Sequence, residues 1–566
     1  METTNKKSVQ QLIDQLWKKG LTRVVISPGS RNAPLILGFT SHSKYQCYSV
    51  PDERSAGFIA LGMAQQTQKP VALVCSSGSA LLNYYPAIAE AFYRKIPLMV
   101  LSADRPQRLI DQGDGQTIRQ NKVYANHILL SSQLEEFPIQ GEEFKNLQII
   151  KAALNLAIPS VINPGGPVHL NMPFEEPLYL KESFTETTVS TTTDQVNEPI
   201  DSTEMQTAIS IWNSTSKIMI LGGQKNGNPT LDVLLQKISK RALIFSETTS
   251  NIDVKGSVHC IDRLITPLSE KEMEKLQPEL LLTFGGNVVS KRIKGFLRKY
   301  GPKHHIHIEV IEKAPDTYQC LTQHFNNSEE LFFTTLLKNA NIQGSSYVNQ
   351  WINVDNVRKE QQAKFEKTVT FSDFQVMQTM NEKIPAQSIV HLANSTSIRY
   401  AQLFDWENEL FFDANRGTSG IDGIVSTAMG TAMVTTKTVV LIVGDISFFY
   451  DTNAWWHRHI PRNLKVVVVN NDGGGIFRFI DGPNSTGQLE SHFETHQKNS
   501  VEHIAIGFGV HYFCATSKSE LESKFDSLLA GNASGILEVN TPQLENAGIL
   551  QEYFKKFKNE HVNYVG

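Results

Sequence analysis

Short, almost wholly apolar runs recur along this chain, each breaking off into glycine, serine, asparagine or aspartate. They include "RVVISPGS", "PVALVCSSGSA" and "IPLMVLSA", then "SKIMILGGQ", "RALIFSET", "ELLLTFGG" and "HHIHIEV", then "SIVHLANSTS", "ELFFDANRG", "TVVLIVGDIS" and "LKVVVVNND". Runs apolar on both faces belong to strands covered on both faces, and the helical segments of about 10–15 residues between them imply βαβ crossovers. The pattern predicts an α/β chain with mainly parallel sheets flanked by helices. It breaks at "KESFTETTVSTTTDQVNEPIDST", which is polar and aperiodic, and again at "NANIQGSSYVNQ". The expected division is a first domain over 1–182, a linker over 183–203, a central α/β domain over 204–345, a bridging helix and linker over 346–370, and a third domain over 371–566. A chain of 566 residues has room for these cores.

Charge and cysteine usage narrow the function. Lys plus Arg number 53 against 57 Asp plus Glu, a net charge of −4, so no strong basic field points to nucleic acid or an anionic membrane surface. Cys47, Cys75, Cys260, Cys320 and Cys514 are scattered and odd in number, which argues against a disulfide framework or a zinc site. The opening "METTNKKSVQQLIDQLW" lacks the apolar stretch of a signal peptide, and no run approaches the ~18 apolar residues of a membrane span. A cytoplasmic protein acting on small molecules is expected, without nucleic-acid or membrane partners.

In open parallel sheets, ligands bind beyond the carboxyl ends of the strands. Two such ends stand out: "VVLIVGD" finishes in Gly444-Asp445 and "VVVVNN" in Asn470-Asn471, 26 positions later. With the helix-compatible "DTNAWWHRH" between them they form one βαβ unit, which brings the two ends together. A carboxylate and a carboxamide oxygen then face one point beside the glycine run 473–475. A few hard oxygen ligands suit Mg²⁺ sharing a ligand's phosphates. An Asx-turn followed by a glycine hairpin explains the Asn-Asn-Asp-Gly run alone, but not its pairing with Gly-Asp.

This pairing resembles the diphosphate and metal signature of thiamine-diphosphate enzymes. A longer series, "SPGSRNAPL", "DERSAGFIALGMA", "SSGSALLNYYPAIAEA", "PLMVLSADRP", "NRGTSGIDGIVSTAMG", "GDISFFYDTNA" and "VVVVNNDGGGIF", in that order, resembles the 2-succinyl-5-enolpyruvyl-6-hydroxy-3-cyclohexene-1-carboxylate synthases of menaquinone biosynthesis. The likeness covers both outer domains and reaches the central one through "SKRIKGF". It implies thiamine diphosphate with Mg²⁺ or Mn²⁺, decarboxylation of 2-oxoglutarate, and addition of the resulting carbanion to isochorismate. It also implies a site shared between subunits of a homodimer at least, with a homotetramer as the family's assembly.

Residue by residue, the resemblance assigns the metal to Asp445, the Asn471 side chain and the Gly473 carbonyl. The cofactor falls to Glu53, Ser77, Gly78, Asn394, Ser395, Ile421, Asp445, Ile446, Ser447, Asn471 and Ile476, with Glu53 as the catalytic carboxylate facing the aminopyrimidine. Substrate falls to Ser30, Arg31, Arg105, Gln116, Arg292, Ser395, Arg399, Arg416, Ile476 and Phe477. Guanidinium forks bind carboxylates bidentately, which gives five arginines a purpose in an enzyme whose substrates carry several. "GDGQTIRQ" departs from the family, with Gly115 where a carboxamide is expected and Arg119 where an acid is usual. Ser79 replaces a common Thr.

Other readings stand beside this one. Glu53 at a helix start and Ile421 in an apolar segment fit ordinary capping and packing. A single arginine is most often a surface solubiliser or salt-bridge partner. Another thiamine-diphosphate decarboxylase or carboligase, or a non-catalytic homologue that keeps the cofactor, would share most of the motifs. His305, His307 and Glu309 lie on one face of "HHIHIEV" without a supporting ligand cluster. "LGGQKNG" is not a dinucleotide fingerprint.

Overall fold

A computed structural model describes residues 2–136, 142–160, 162–184, 186, 200–406, 409–478, 482–496 and 498–559. The apolar runs form three mainly parallel sheets. The first, six-stranded, runs Gln46–Ser49, Arg23–Ile26, Val71–Cys75, Leu98–Asp104, Val168–Pro173, Leu130–Gln133. The third, also six-stranded, runs Phe411–Asp413, Ile389–Leu392, Val439–Gly444, Leu464–Asn470, Gly535–Asn540, His511–Ala515. Numbered by chain order within each sheet, both read 2-1-3-4-6-5, so the outer sheets share one topology. Between them in sequence lies a five-stranded sheet, Leu243–Ser246, Ile218–Gly222, Leu280–Phe284, His304–Ile308, Gln323–Phe325.

One apolar core joins the first and third sheets, from Val25, Leu73 and Val100 to Val425, Leu441 and Val466. At its centre helix Glu53–Thr67 crosses helix Ile424–Ala432 with backbones nearly touching. A Cβ on Gly62 would lie 2.0 Å from the Thr427 carbonyl oxygen, and one on Gly430 would lie 2.0 Å from that of Ile59. Only glycine permits this approach, and the crossing fixes the start of the first helix, where Glu53 lies, against the third sheet.

"LLNYYPAIAEAFYR" forms two helices, Ala80–Asn83 and Tyr85–Arg94, because Pro86 cannot donate within a continuing helix and the Tyr84 hydroxyl is anchored on Ser27 and the Val74 carbonyl. Local readings differ from the sequence expectation at two places. "DTNAWWHRH" is not a helix: the crossover consists of helix Asp445–Tyr450 and the 3-10 turn Thr452–Trp455, which buries Trp455. The described ends of the polar break carry regular structure, since Lys181–Ser183 pairs antiparallel with Glu2–Thr4 and Asp201 caps helix Ser202–Ser214. Residues 185 and 187–199 of the expected linker lie outside the described residues. His305 and His307 both hydrogen-bond Thr283, at 2.8 and 2.9 Å, and Glu309 pairs with Lys95, so this strand face is a closed polar network.

Candidate active site

Strands Val439–Gly444 and Leu464–Asn470 are adjacent and parallel, with Gly444 opposite Val469, so Asp445 and Asn471 leave the sheet side by side. The Ile446 amide donates to Asp445 Oδ1 and the Gly473 amide to Oδ2, both at 2.8 Å. Asp445 is only 2 % exposed. Burial pushes its carboxyl up to about 7 against the pull of those two amides. Gly473 sits at φ +127°, and a Cβ there would lie 2.4 Å from the Glu494 carbonyl oxygen, so glycine is required. Its own carbonyl accepts from the Gly475 amide at 2.9 Å. Buried Asn471 donates its Nδ2 to Asp373 Oδ2 at 2.8 Å, which leaves Oδ1 on the other side of the carboxamide.

These residues fit a divalent metal held with a diphosphate. A buried carboxylate lacking a counter-charge, a carboxamide oxygen and a carbonyl are hard donors, too few to complete a coordination shell without phosphate and water. Among the described residues no group of three or more His, Cys, Asp or Glu could hold a metal, so a self-sufficient protein cage is not the alternative. Helix Asp445–Tyr450 presents the first-turn amides of Ile446 and Ser447. The Ser447 hydroxyl donates to the Ile421 carbonyl at 2.6 Å, which ties the Ile421 loop to the locus. Ile421 itself is 39 % exposed, unlike a residue placed for core packing.

Glu53 opens its helix behind Asp52, which caps it through the Ser55 amide. The side chain is half-buried, accepts from Asn83 Nδ2 at 3.4 Å, and is raised above the usual carboxylate range, chiefly by burial. Nearby, Ser77 Oγ is buried without a hydrogen-bond partner, an orphaned group of the kind a bound cofactor satisfies. Gly78, at φ +82°, donates its amide to Gln120 Oε1 and packs on the Gln116 backbone. Among the described residues no hydrogen bond joins Glu53 to Asp445 or Asn471 of the same chain. Its neighbours dock instead beyond the Asp445 helix: Arg54 donates to the Tyr450 carbonyl and Asn453 to Asp52.

Asn394, Ser395, Arg416 and Ile421 gather at the ends of strands Ile389–Leu392 and Phe411–Asp413. Asn394 donates to the Asn415 and Gly420 carbonyls and accepts from Arg416 Nη1 at 2.8 Å. Ser395 holds φ +79°, a strained conformation for a non-glycine residue.

The structure separates the arginines into two groups. Arg292 and Arg399 line a cavity of about 670 Å³ with Asp262, Lys291, Ile476 and Phe554. Arg292 stacks over the Phe554 ring at 4.6 Å. Burial lowers the pKa of Arg399, Asp262 opposes that shift, and Arg292 adds to it. Arg416 is likewise lowered by burial, which Glu247 opposes, and Arg399 is the next charge it feels. The second group is on the first domain. Arg31 donates to the Phe174 carbonyl at 3.0 Å and to Glu176 at 3.2 Å, while Arg105 lies 4.0 Å from the same Glu176 oxygen and donates to the Gly115 carbonyl. Ser30 hydrogen-bonds Tyr179, and Gln116 holds φ +56°. Phe477 packs against Phe493.

Several supporting residues escaped sequence reasoning. Glu247 accepts from the Val289 and Ser290 amides and so holds the entry to the helix that carries Arg292, which Ser290 itself caps through the Ile293 amide. Glu90 accepts from the Gly417 and Thr418 amides beside Arg416. Asp451 is wholly buried and accepts from the Ser426 amide and hydroxyl, and burial pushes its carboxyl up to about 7. Its folded pKa exceeds the unfolded value of 3.8, so its stabilising contribution is complete below 3.8 and is lost as pH rises through about 7. Asp451→Asn keeps both Ser426 contacts, because the amide can donate to the hydroxyl. The melting temperature of the variant is therefore expected to gain on wild type between pH 5 and 7 and to hold that gain above 7. A difference independent of pH would refute this.

Models of known families match all three sheets. The thiamine pyrophosphate enzyme N-terminal TPP binding domain matches residues 6–123, the middle domain 191–392, and the C-terminal TPP binding domain 393–539. A crystal structure of benzoylformate decarboxylase from Polynucleobacter necessarius superposes with a TM-score of 0.72 at 14 % identity, covering 96 % of this chain and 99 % of that one, a likeness of fold. Fold and family models thus define a thiamine-diphosphate enzyme, for which a divalent metal is standard.

Closer relatives narrow the class. The chain is 44 % identical to 2-succinyl-5-enolpyruvyl-6-hydroxy-3-cyclohexene-1-carboxylate synthase of Flavobacterium johnsoniae, over 97 % of this chain and 98 % of the relative. Enzymes of the same name from Porphyromonas gingivalis and Bacteroides fragilis are 38 % and 35 % identical, each over 98 % of this chain and 98 % and 100 % of their own lengths. The chain belongs to the 2-succinyl-5-enolpyruvyl-6-hydroxy-3-cyclohexene-1-carboxylate synthase family.

Proposed function

We propose that the protein decarboxylates 2-oxoglutarate and adds the succinyl carbanion to isochorismate, releasing CO₂ and 2-succinyl-5-enolpyruvyl-6-hydroxy-3-cyclohexene-1-carboxylate. The observation that carries this is the cavity where Arg292 and Arg399 meet Ile476, three residues beyond the metal-locus glycine. A half-buried guanidinium, Arg399, and an exposed one stacked on Phe554, Arg292, beside an apolar wall suit a substrate with carboxylates on a carbon skeleton. Arg31 and Arg105 form a second anion-binding pair, with Ser30 and Gln116 beside them.

Thiamine diphosphate, when bound, supplies a nucleophilic thiazolium carbon and a sink for the electrons released with CO₂. Glu53 holds a proton for the aminopyrimidine ring nitrogen, and its half-burial keeps the acid form available closer to neutrality. Asp445, Asn471 and the Gly473 carbonyl would hold the metal, and Ile446 and Ser447 would receive the diphosphate once the Ile446 amide and the Ser447 hydroxyl exchange their present acceptors, Asp445 Oδ1 and the Ile421 carbonyl, for its oxygens. Ile421, Asn394, Ser395, Ser77 and Gly78 line the cofactor's path, while Ile476 and Phe477 shield the reacting centre from water. Residues 1–182 serve the aminopyrimidine and 371–566 the diphosphate. As the family resemblance implies, first and third domains of different subunits would pair, in a homodimer that doubles to a homotetramer in the cytoplasm.

Arg292→Ala and Arg399→Ala test the substrate assignment. Each is expected to raise KM for 2-oxoglutarate or isochorismate about 10–100-fold, the cost of one charged hydrogen-bonded group, with cofactor affinity unchanged. Wild-type KM values for both substrates in both variants would refute the assignment.

A further inference from the structure

We propose that Asp373 is a positioning residue for the metal: its carboxylate fixes which end of the Asn471 carboxamide is turned toward the cation. The inference rests on the reading of Asn471 as a metal ligand. A carboxamide has an oxygen and an NH₂ of nearly equal shape, and only the oxygen can bind a divalent cation. Nothing in Asn471 itself selects between the two orientations, so the neighbour on its far side must.

That neighbour is Asp373, the first residue of helix Asp373–Lys383. It is 4 % exposed and surrounded by donors. Its Oδ2 accepts from Asn471 Nδ2 at 2.8 Å, and its Oδ1 accepts from Thr541 Oγ1 at 2.6 Å and from Asn546 Nδ2 at 3.0 Å. Its backbone amide donates to Asn546 Oδ1 at 2.9 Å, which fixes Asn546 with its NH₂ toward the carboxylate. A carboxylate only accepts, so Asn471 must offer its NH₂ to Asp373 and keep its oxygen for the site. The Thr541 amide also donates to the Asn470 carbonyl at 3.0 Å, so the network is tied to the end of the strand that carries Asn471. Partners outside a metal's ligand shell orient the ligands and tune affinity in this way.

Asp373→Asn makes the logic testable. The new side chain must face its oxygen toward Thr541 and Asn546, which are donors, and its NH₂ then points at Asn471. Asn471 meets that NH₂ with its oxygen and presents its own NH₂ to the cation. Adding Asn471→Asp restores complementarity, because the carboxylate then at position 471 accepts from the carboxamide at position 373 and still offers an oxygen to the metal. Asn471→Asp alone sets two carboxylates face to face. Reversal of two harmful changes in combination separates orientation from general loss of structure.

The experiment is titration of the full-length protein with Mn²⁺ by electron paramagnetic resonance, with saturating thiamine diphosphate and no substrate, for wild type, both single variants and the double variant. Circular dichroism checks the fold of each. The two single variants are expected to bind Mn²⁺ at least ~10-fold more weakly, and the double variant to recover to within about 3-fold of wild type. If Asp373→Asn does not fold, the double variant is still expected to fold and bind. Wild-type affinity in either single variant, or a double variant that does not recover, overturns Asp373's role while leaving the metal site standing. A wild-type protein that binds no Mn²⁺ overturns the metal-site reading itself.

Discussion

Glu53→Gln is expected to lower turnover by at least ~100-fold while leaving thiamine diphosphate and Mg²⁺ affinity within a few-fold of wild type. The substitution is isosteric, and its carboxamide oxygen can still accept from Asn83. What it removes is the ability to give and take a proton at the aminopyrimidine nitrogen. Helix capping survives too, since the cap is Asp52 and not Glu53. Steady-state rates set beside calorimetric affinity separate the chemical role from a structural one. A variant with near-wild-type turnover would remove Glu53 from the mechanism, and one that loses cofactor affinity and rate together would make it a binding residue only.

Asp445→Ala is expected to act earlier, at assembly of the holoenzyme. The carboxylate is the one charged side chain assigned to the metal, it is nearly sealed from water, and burial already strains it toward neutrality. Deleting one partner of a buried charge pair costs about 3–5 kcal/mol, which corresponds to a loss of roughly 10²–10⁴ in metal-dependent cofactor affinity. Activity lost at ordinary cofactor concentrations should return in part at high thiamine diphosphate and Mg²⁺. Unchanged affinity in a folded variant would contradict the assignment of the metal locus.

The buried strands and the juxtaposition of Asp445 with Asn471 were legible because they depend on short-range regularities. The valine run 466–469 predicts a strand, and 26 residues between two polar strand ends predicts one crossover, so adjacency of Asp445 and Asn471 follows from chirality and spacing. Edge pieces such as Gln46–Ser49, and the pairing of Glu2–Thr4 with Lys181–Ser183, carry no apolar run and left no signal. Pro86 marks the helix break at Tyr84 in the sequence, but the anchoring of the Tyr84 hydroxyl on Ser27 is a contact between distant residues. The same limit applies within the site. Resemblance supplied five arginines, but their division into Arg31 with Arg105 and Arg292 with Arg399 is a property of the folded chain. Asp373 was invisible for a different reason: an acid at the start of a helix reads as ordinary capping, and its contact with Asn471 spans 98 positions.

The substrate pair is tested most directly by product analysis. Wild-type protein with thiamine diphosphate and Mg²⁺ is given 2-oxoglutarate with and without isochorismate, and CO₂ release and the coupled product are followed together. The account predicts sustained CO₂ release that depends on isochorismate, with one 2-succinyl-5-enolpyruvyl-6-hydroxy-3-cyclohexene-1-carboxylate formed per CO₂. Equal CO₂ release without isochorismate, or turnover of pyruvate in preference to 2-oxoglutarate, would contradict it.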